Sequence, residues 1–291
     1  MTTAPQAAPQ TAVPCDPRIC ELGEGPFWHP LRGQVFWFDI IGQVLHTIED
    51  GTPRQWAMGE CTSAAGWLDR DTLMIASETG LYRFDLRTGA RDLIQPLEAD
   101  TPVTRSNDGR TDPHGGFWIG TMGKAAEPEA GAIYRYYKGA LHKLHDRITI
   151  PNSICFSPDG QLAYWTDTPS QVIRVQSLDP EGWPTGAPRV FVDLRPEGLY
   201  PDGSVTDAQG GLWNAQWGAG RVARYHPDGR FDRAVLVGGR HASCPLFGGP
   251  GLDRLYVTTA REGITDPDDL QGRLYQADPA AVGHPDPQLR L

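Results

Sequence analysis

Short apolar or aromatic runs recur six times along the chain, each roughly 45 residues after the one before. The runs are QVFWFD (34–39), LMIASE (73–78), FWIGTM (117–122), LAYWTD (162–167), LWNAQW (212–217) and LYVTTA (255–260). Each is followed by a second run in which apolar and polar residues alternate, as in a strand with one buried face. Asp-Gly, Thr-Gly and Lys-Gly turns accompany these second runs and favour hairpins.

A repeat of this length that consists mostly of strand corresponds to one four-stranded propeller blade. Six repeats therefore predict an all-β fold, namely a six-bladed β-propeller with mostly four-stranded antiparallel blades. The alternative is a β-sandwich with accidental self-similarity. No stretch has a sustained helical period, which argues against an alternating α/β fold.

The start of the chain has a different composition. The segment MTTAPQAAPQTAVP is rich in Ala, Pro, Thr and Gln, and it lacks the basic and apolar regions of a secretory signal. We therefore predict a disordered N-terminal tail over residues 1–14 and a single six-bladed propeller domain over residues 15–291.

Charge and cysteine content limit the classes of partner. The formal net charge is −10, which argues against binding to nucleic acid or to an anionic membrane. No stretch approaches the roughly 20 apolar residues of a membrane span. The five cysteines are scattered and form no C-x-x-C motif, so neither a disulfide framework nor a zinc-thiolate site is expected. These features favour a cytoplasmic protein that binds a small molecule, as a monomer or weak oligomer.

One position of the repeat is a candidate for the functional site. The innermost strand of each propeller blade lines the central channel, and ligands usually bind at one channel mouth. Counting back ten residues from the start of each run gives, along the chain, Glu24, Ser63, Asn107, Asn152, Asp202 and Pro245. The pseudo-symmetry should bring the two carboxylates and two amides of this set together around the axis. Taken singly, each of these four is also an ordinary turn or loop residue.

Two carboxylates and two amide oxygens form a hard donor set that suits a divalent cation. Ca²⁺, Mg²⁺ and Mn²⁺ are favoured, and Fe²⁺ or Zn²⁺ fit less well. Arg105 lies two residues before Asn107, so strand alternation points both side chains the same way. A guanidinium there would bind the hydroxyls, ring oxygen or product carboxylate of a polar substrate, the alternative being a surface arginine. No G-x-S-x-G, H-E-x-x-H or phosphate-binding glycine loop offers other chemistry.

Long motifs resemble the gluconolactonase/regucalcin (senescence marker protein) family. They are LGEGPFWHP, RSNDGRTDPHGGFWIGTMG, IPNSICFSPDGQLAYWTDT and YPDGSVTDAQGGLWNAQWGAGRVARYHPDG, and the resemblance covers about residues 18 to 280. The segment FGGPGLDRLYVTTAREG is most similar to bacterial sugar aldonolactonases, including xylonolactonase-like members. The resemblance implies a six-bladed propeller with one divalent metal in the channel. It further implies that the metal ligands are Glu24, Asn152 and Asp202, and that the substrate-binding residues are Arg105 and Asn107.

The sequence departs from the family pattern at one place. Some members carry an acidic substrate-binding residue soon after the GTM motif, and here Ala125 falls near that position. Glu127 or Glu129 would have to substitute for it. The motifs therefore leave the identity of the sugar open.

The function that the resemblance implies is metal-dependent hydrolysis of a sugar aldonolactone to the aldonic acid. Lactones of the gluconolactone, xylonolactone and arabinonolactone types are the expected substrates. Asp202 would be both a metal ligand and the carboxylate that activates the attacking water, and a hydroxide bound to the metal is the competing nucleophile. The alternatives are a non-catalytic, Ca²⁺-binding regulatory propeller and a hydrolase of other esters or organophosphates.

Overall fold

The computed structural model describes residues 10–291, and these form six antiparallel sheets that follow one another along the chain. The first strand of each sheet contacts the first strand of the next, and the sixth contacts the first, which closes a ring. The described residues contain no α-helix and only two short 3₁₀-helices, Thr168–Ser170 and Arg195–Glu197. The prediction of a six-bladed propeller is confirmed. No helix in this part of the chain is long and apolar enough to cross a membrane.

Two short strands precede the first blade, and each of the first three blades is a four-stranded meander. The preceding strands are β1 (Gln10–Thr11) and β2 (Val13–Pro14). Blade I contains β3 (Gly23–His29), β4 (Gln34–Asp39), β5 (Val44–Glu49) and β6 (Thr52–Ala57). Blade II contains β7 (Thr62–Trp67), β8 (Thr72–Ser77), β9 (Gly80–Asp85) and β10 (Arg91–Pro96). Blade III contains β11 (Thr104–Thr111), β12 (Phe117–Gly123), β13 (Gly131–Tyr137) and β14 (Ala140–Ile148).

The remaining three blades continue this order, and the last lacks a fourth strand of its own. Blade IV contains β15 (Pro151–Phe156), β16 (Leu162–Asp167), β17 (Val172–Leu178) and β18 (Pro184–Asp193). Blade V contains β19 (Tyr200–Thr206), β20 (Leu212–Trp217), β21 (Arg221–Tyr225) and β22 (Phe231–Leu236). Blade VI contains β23 (His241–Gly248), β24 (Arg254–Ala260) and β25 (Tyr275–Ala277).

The six apolar runs of the sequence coincide with the second strand of each blade, to within one residue at either end. These strands lie between the channel strand and the outer strands and pack against neighbouring blades, so both of their faces are covered. In β4, for example, every residue is buried, whereas β6 at the rim of the same blade is largely exposed. Burial on both faces explains why these strands form continuous apolar runs in the sequence.

The ring is completed by the start of the chain. β2 pairs antiparallel with β25 and becomes the fourth strand of blade VI, while β1 pairs parallel with β22 and adds a fifth strand to blade V. Residues 10–14 therefore do not belong to a disordered tail as we predicted, because their backbone groups complete these two sheet edges. Residues 1–9 of the predicted tail lie outside the described residues.

The end of the chain covers the far end of the channel. Asp286 accepts a hydrogen bond from the backbone N–H of Trp28 (2.9 Å), and its carbonyl accepts one from the indole of Trp67 (3.0 Å). His284 lies 2.9 Å from the Thr206 hydroxyl, and the backbone of Arg290 bonds to that of Gly115. The C-terminal segment, residues 282–291, therefore contacts the carboxyl ends of innermost strands in several blades.

The N-terminal closure can be tested with one substitution. Ala12, between β1 and β2, is buried in the apolar cluster shared by blades V and VI, whereas its neighbour Thr11 is exposed. Ala12→Asp should lower the free energy of unfolding by about 3 kcal/mol, because the charge would be buried without a partner. Thr11→Asp is the control and should change stability little. Equal denaturation midpoints in urea for the two variants would contradict this view of the closure.

Candidate functional site

A cavity of about 380 Å³ opens at the amino ends of the innermost strands. All five predicted site residues line it, namely Glu24, Arg105, Asn107, Asn152 and Asp202. The other two positions of the repeat register do not. Ser63 is buried with its hydroxyl donating to the Ser106 hydroxyl (2.8 Å), and Pro245 is buried within β23.

A bulge in each innermost strand aims these side chains. All six innermost strands shift register at corresponding places, between residues 24 and 27 in β3, for example, and between 152 and 155 in β15. A bulge bends the strand locally and redirects side chains, so residues near it can face the channel mouth. Glu24 and Asn152 pair just before their bulges, whereas Asn107 and Asp202 lie within theirs. The four residues are in strands, so their interpretation as turn residues is wrong.

The glycine that follows Glu24 is required by this geometry. Gly25 has a φ of +52°, and a side chain there would collide with the backbone carbonyl of Ser63 on the adjacent blade. Ser153, which follows Asn152, also has a positive φ (58°), and its hydroxyl donates to the Asp202 carbonyl (2.6 Å). The same backbone conformation thus follows the site residue in blades I and IV.

The amides form an ordered chain of hydrogen bonds. Arg105 donates to Asn107 Oδ1 (2.8 Å), and Asn107 Nδ2 donates to Asn152 Oδ1 (3.0 Å) and to the Pro151 carbonyl (2.9 Å). Asn152 Nδ2 in turn donates to the Thr168 hydroxyl (2.9 Å). The Asn107 oxygen therefore faces Arg105 and is not part of a four-oxygen cluster. Asn107 groups with Arg105, and Asn152 Oδ1 accepts the hydrogen bond from the Asn107 amide.

Two carboxylates of the cavity, those of Glu24 and Asp202, are buried with little compensation. Glu24 is 6% exposed and Asp202 is 5% exposed. Glu24 accepts a hydrogen bond from the Gly25 N–H (2.8 Å), and among the described residues neither carboxylate forms an ion pair. Burial, reinforced by the charge of Asp108, raises the pKa of Glu24 to about 8. Burial and the nearby charge of Glu24 also raise the pKa of Asp202 well above its ordinary value.

This donor set fits a divalent cation. Two buried carboxylates that repel each other are hard oxygen ligands, and the Asn152 amide lines the same cavity. Over residues 10–291, no group of three or more His, Cys, Asp or Glu side chains is placed to hold a metal, so the third ligand here would have to be the amide. Glu24, Asn152 and Asp202 are therefore the residues that could hold a cation.

Several residues of the site were not predicted from the sequence. Asp108 is buried beside Asn107 in the same bulge and accepts a hydrogen bond from the Ile154 N–H (2.7 Å). Burial raises the pKa of Asp108 to about 6. Asp108 is not in the cavity wall, whose polar or aromatic residues outside the prediction are Lys124, Thr168, Trp217 and Glu262. The motif RSNDG contains Asp108, but its asparagine was the residue that the repeat register selected.

The two glutamates considered as substitutes after the GTM motif do not line the cavity. Glu127 accepts a hydrogen bond from the Ala125 N–H (3.1 Å), and Glu129 forms an exposed ion pair with Arg147 (2.6 Å). Ala125 itself is on the cavity wall. The loop after β12 thus brings no carboxylate to the cavity.

Fold and cavity together define a class, a six-bladed propeller with an oxygen-rich polar site at one channel mouth. Residues 22–261 match the family described as the SMP-30/Gluconolactonase/LRE-like region. The chain belongs to this family, as its sequence motifs predicted.

Relatives resemble the chain over most of its length. An L-arabinolactonase from Azospirillum brasilense is 39% identical over 253 residues, covering 84% of this chain and 83% of the relative. A pentonolactonase from Haloferax volcanii is 32% identical over 286 residues, covering 92% and 94%. The crystal structure of a calcium-binding protein, regucalcin, from Agrobacterium tumefaciens has a TM-score of 0.95 at 40% identity, covering 97% of this chain and 98% of that one.

The buried carboxylates predict an unusual dependence of stability on pH. Glu24 titrates near its ordinary value of 4.5 when unfolded and near 8 when folded, so between these values only the folded state holds the proton. In cation-free buffer the free energy of unfolding should therefore fall as the pH rises from about 5 to about 8. Glu24→Gln should reduce this slope, because it removes the proton in question.

The measurement is urea denaturation in EDTA across this pH range. Glu129→Gln is the matched control, since Glu129 is exposed and outside the cavity, and it should keep the wild-type slope. A wild-type stability that does not change with pH would contradict the electrostatic description of the site.

Proposed function

We propose that the protein is a hydrolase that opens a sugar aldonolactone to the free aldonic acid. The observation that carries the proposal is the convergence of Glu24, Asn152 and Asp202 around a cavity that Arg105 and Asn107 also line. Family membership and similarity to proteins named as lactonases of pentose sugars support it. The cavity volume of about 380 Å³ is within the range of small-molecule sites.

The residues divide into two groups. Glu24, Asn152 and Asp202 would hold a divalent cation, which when bound supplies a Lewis acid for the lactone carbonyl. Ca²⁺, Mn²⁺, Mg²⁺, Zn²⁺ and Fe²⁺ are the candidate ions, and the description of the Agrobacterium relative as a calcium-binding protein favours Ca²⁺. Arg105, held by Asn107, would bind and orient the substrate.

Asp202 is the proposed general base. Its carboxylate takes a proton from water as the water oxygen adds to the lactone carbonyl carbon. The bond between that carbon and the ring oxygen then breaks, and the proton held by Asp202 can pass to the departing oxygen. The product is the open hydroxy acid. Burial suits this role because it makes the carboxylate a stronger base than a solvated aspartate.

Arg105 can act on the substrate because only part of its guanidinium is engaged. Nη1 donates to Asn107 Oδ1 and to the Ser106 carbonyl (2.9 Å), and no carboxylate of residues 10–291 forms an ion pair with it. The remaining N–H groups are available to hydroxyl and carbonyl oxygens in the cavity. Asn107 fixes the rotamer of Arg105 and would therefore act mainly by positioning it.

Removal of the Asp202 charge should abolish two properties together. Asp202→Asn should lower kcat/KM by about a hundredfold or more and weaken cation binding, because one carboxylate would serve both roles. Activity is measured by pH-stat titration over a panel of aldonolactones, with spontaneous hydrolysis subtracted, and cation affinity by calorimetry. Asp228→Asn, at an exposed hairpin, is the control. Full turnover by the cation-free protein would contradict the mechanism.

The same panel separates catalysis from binding alone. Tight cation binding without hydrolysis of any lactone would contradict the proposed enzyme and favour the Ca²⁺-binding regulatory alternative. Hydrolysis of aryl esters or organophosphates in preference to lactones would contradict the substrate class but keep the site.

Arg105 should affect substrate but not cation. Arg105→Lys keeps the charge but loses the planar fork, so KM should rise about tenfold while the cation affinity stays at the wild-type value. Steady-state kinetics and calorimetry on the same preparation provide both readouts. A fall in cation affinity equal to the change in KM would argue against the division into two groups.

A further inference from the structure

The cavity has one carboxylate that is neither a proposed cation ligand nor paired with a cationic side chain. Glu262 lies two residues after β24, in the loop that joins β24 to β25 within blade VI, and it lines the cavity. Among the described residues, no side-chain hydrogen bond or ion pair engages its carboxylate, although its backbone is well anchored. Such a group can accept hydrogen bonds from a ligand without first losing a protein partner.

The Glu262 backbone is fixed from three sides. Its N–H donates to the Glu21 carbonyl (3.0 Å), to which the adjacent Arg261 N–H also donates (2.9 Å). Its own carbonyl accepts a hydrogen bond from His241 Nδ1 (2.9 Å). The His241 ring stacks on Trp217, another wall residue, at a centroid distance of 4.1 Å. Through His241, the loop therefore fixes the position of Glu262 relative to the Trp217 ring at the cavity wall.

Five charged side chains line the cavity, and all but two would be neutralised by a neighbour or by a bound cation. A divalent cation would neutralise Glu24 and Asp202, and the Lys124 ammonium forms an ion pair with Glu78. Arg105 and Glu262 then remain as one positive and one negative group facing the same space. Burial lowers the pKa of Arg105, and the charge of Glu262 is the largest influence that opposes this shift. The carboxylate thus acts on the guanidinium that would bind the substrate.

We infer that Glu262 is a specificity-determining residue that favours neutral polyhydroxy lactones over lactones with an anionic substituent. The inference deepens the proposed function and rests on it. Hydroxyl groups of a neutral sugar can donate to Glu262 and accept from Arg105, so both charges are satisfied. A phosphate, sulfonate or second carboxylate that approaches Arg105 also enters the field of Glu262, which weakens its attraction.

The test compares a neutral aldonolactone with its 6-phosphorylated form. Glu262→Gln keeps the shape and removes the charge. We expect the ratio of kcat/KM for the neutral over the phosphorylated lactone to fall about tenfold, mainly through the two KM values. Glu24, Asn152 and Asp202 are unchanged in this variant, so it should still bind the cation. Glu21→Gln is the control, because Glu21 is an exposed carboxylate in direct backbone contact with Glu262.

A second readout separates this inference from the proposed function. Binding of a neutral hexitol and of its 6-phosphate to the Mn²⁺-loaded protein is measured by calorimetry, which requires no hydrolysis. A shift of the affinity ratio toward the phosphate in Glu262→Gln, but not in Glu21→Gln, supports the inference even if no lactone is hydrolysed. An unchanged ratio in both assays overturns it, even if the wild-type protein is an active lactonase. An equal loss of affinity for the hexitol and its 6-phosphate also overturns the inference, because Glu262 would then have only a structural role.

Discussion

A blade of this ring has two faces that only its neighbours can cover, so the fold depends on the last blade meeting the first. The chain achieves this by placing residues from its two ends in one sheet, where β2 supplies the outer strand of blade VI. The closure also fixes the site. Glu24 comes from blade I, Asn152 from blade IV and Asp202 from blade V, and nothing in the local sequence brings them together. Their separation is set by the ring as a whole.

The carboxylates of the site in turn destabilise the fold, because they are buried and repel one another. Glu24, Asp108 and Asp202 are all buried. The charge of Asp108 raises the pKa of Glu24, and the charges of Glu24 and Asp108 raise the pKa of Asp202. Arg105 and Arg110 offset part of this repulsion of Glu24, since both charges lower its pKa. A structure selected only for stability would replace such a group with apolar residues. The arrangement matches the proposed cation site, because a bound positive charge would relieve this repulsion.

The sequence predicted the fold because the second strand of every blade is buried on both faces, which makes the period visible as apolar runs. Counting back from these runs reached the cavity because the bulge recurs in all six innermost strands, so the spacing stays nearly constant. The strands at residues 10–14 were missed, since two-residue strands are too short for any period to appear.

Other features of the site could not be predicted, because they depend on contacts between residues that are far apart in the sequence. The Asn107 amide orientation is fixed by Arg105 on one side and Asn152 on the other. Glu262 lies in a loop outside the repeat, so no register could select it. Its place at the cavity depends on a backbone contact with Glu21, which is distant in sequence.

The position of the C-terminal segment affects how a ligand enters and leaves the channel. Asp286 and His284 lie at the end of the channel opposite the cavity, and the partly buried Arg110 pairs with Asp286 (3.7 Å) while its charge lowers the pKa of Glu24. The C-terminal segment therefore packs across the end of the ring opposite the cavity. On the cavity side, substrate and product would pass the same lining residues, so a high concentration of product would compete with substrate for the cavity.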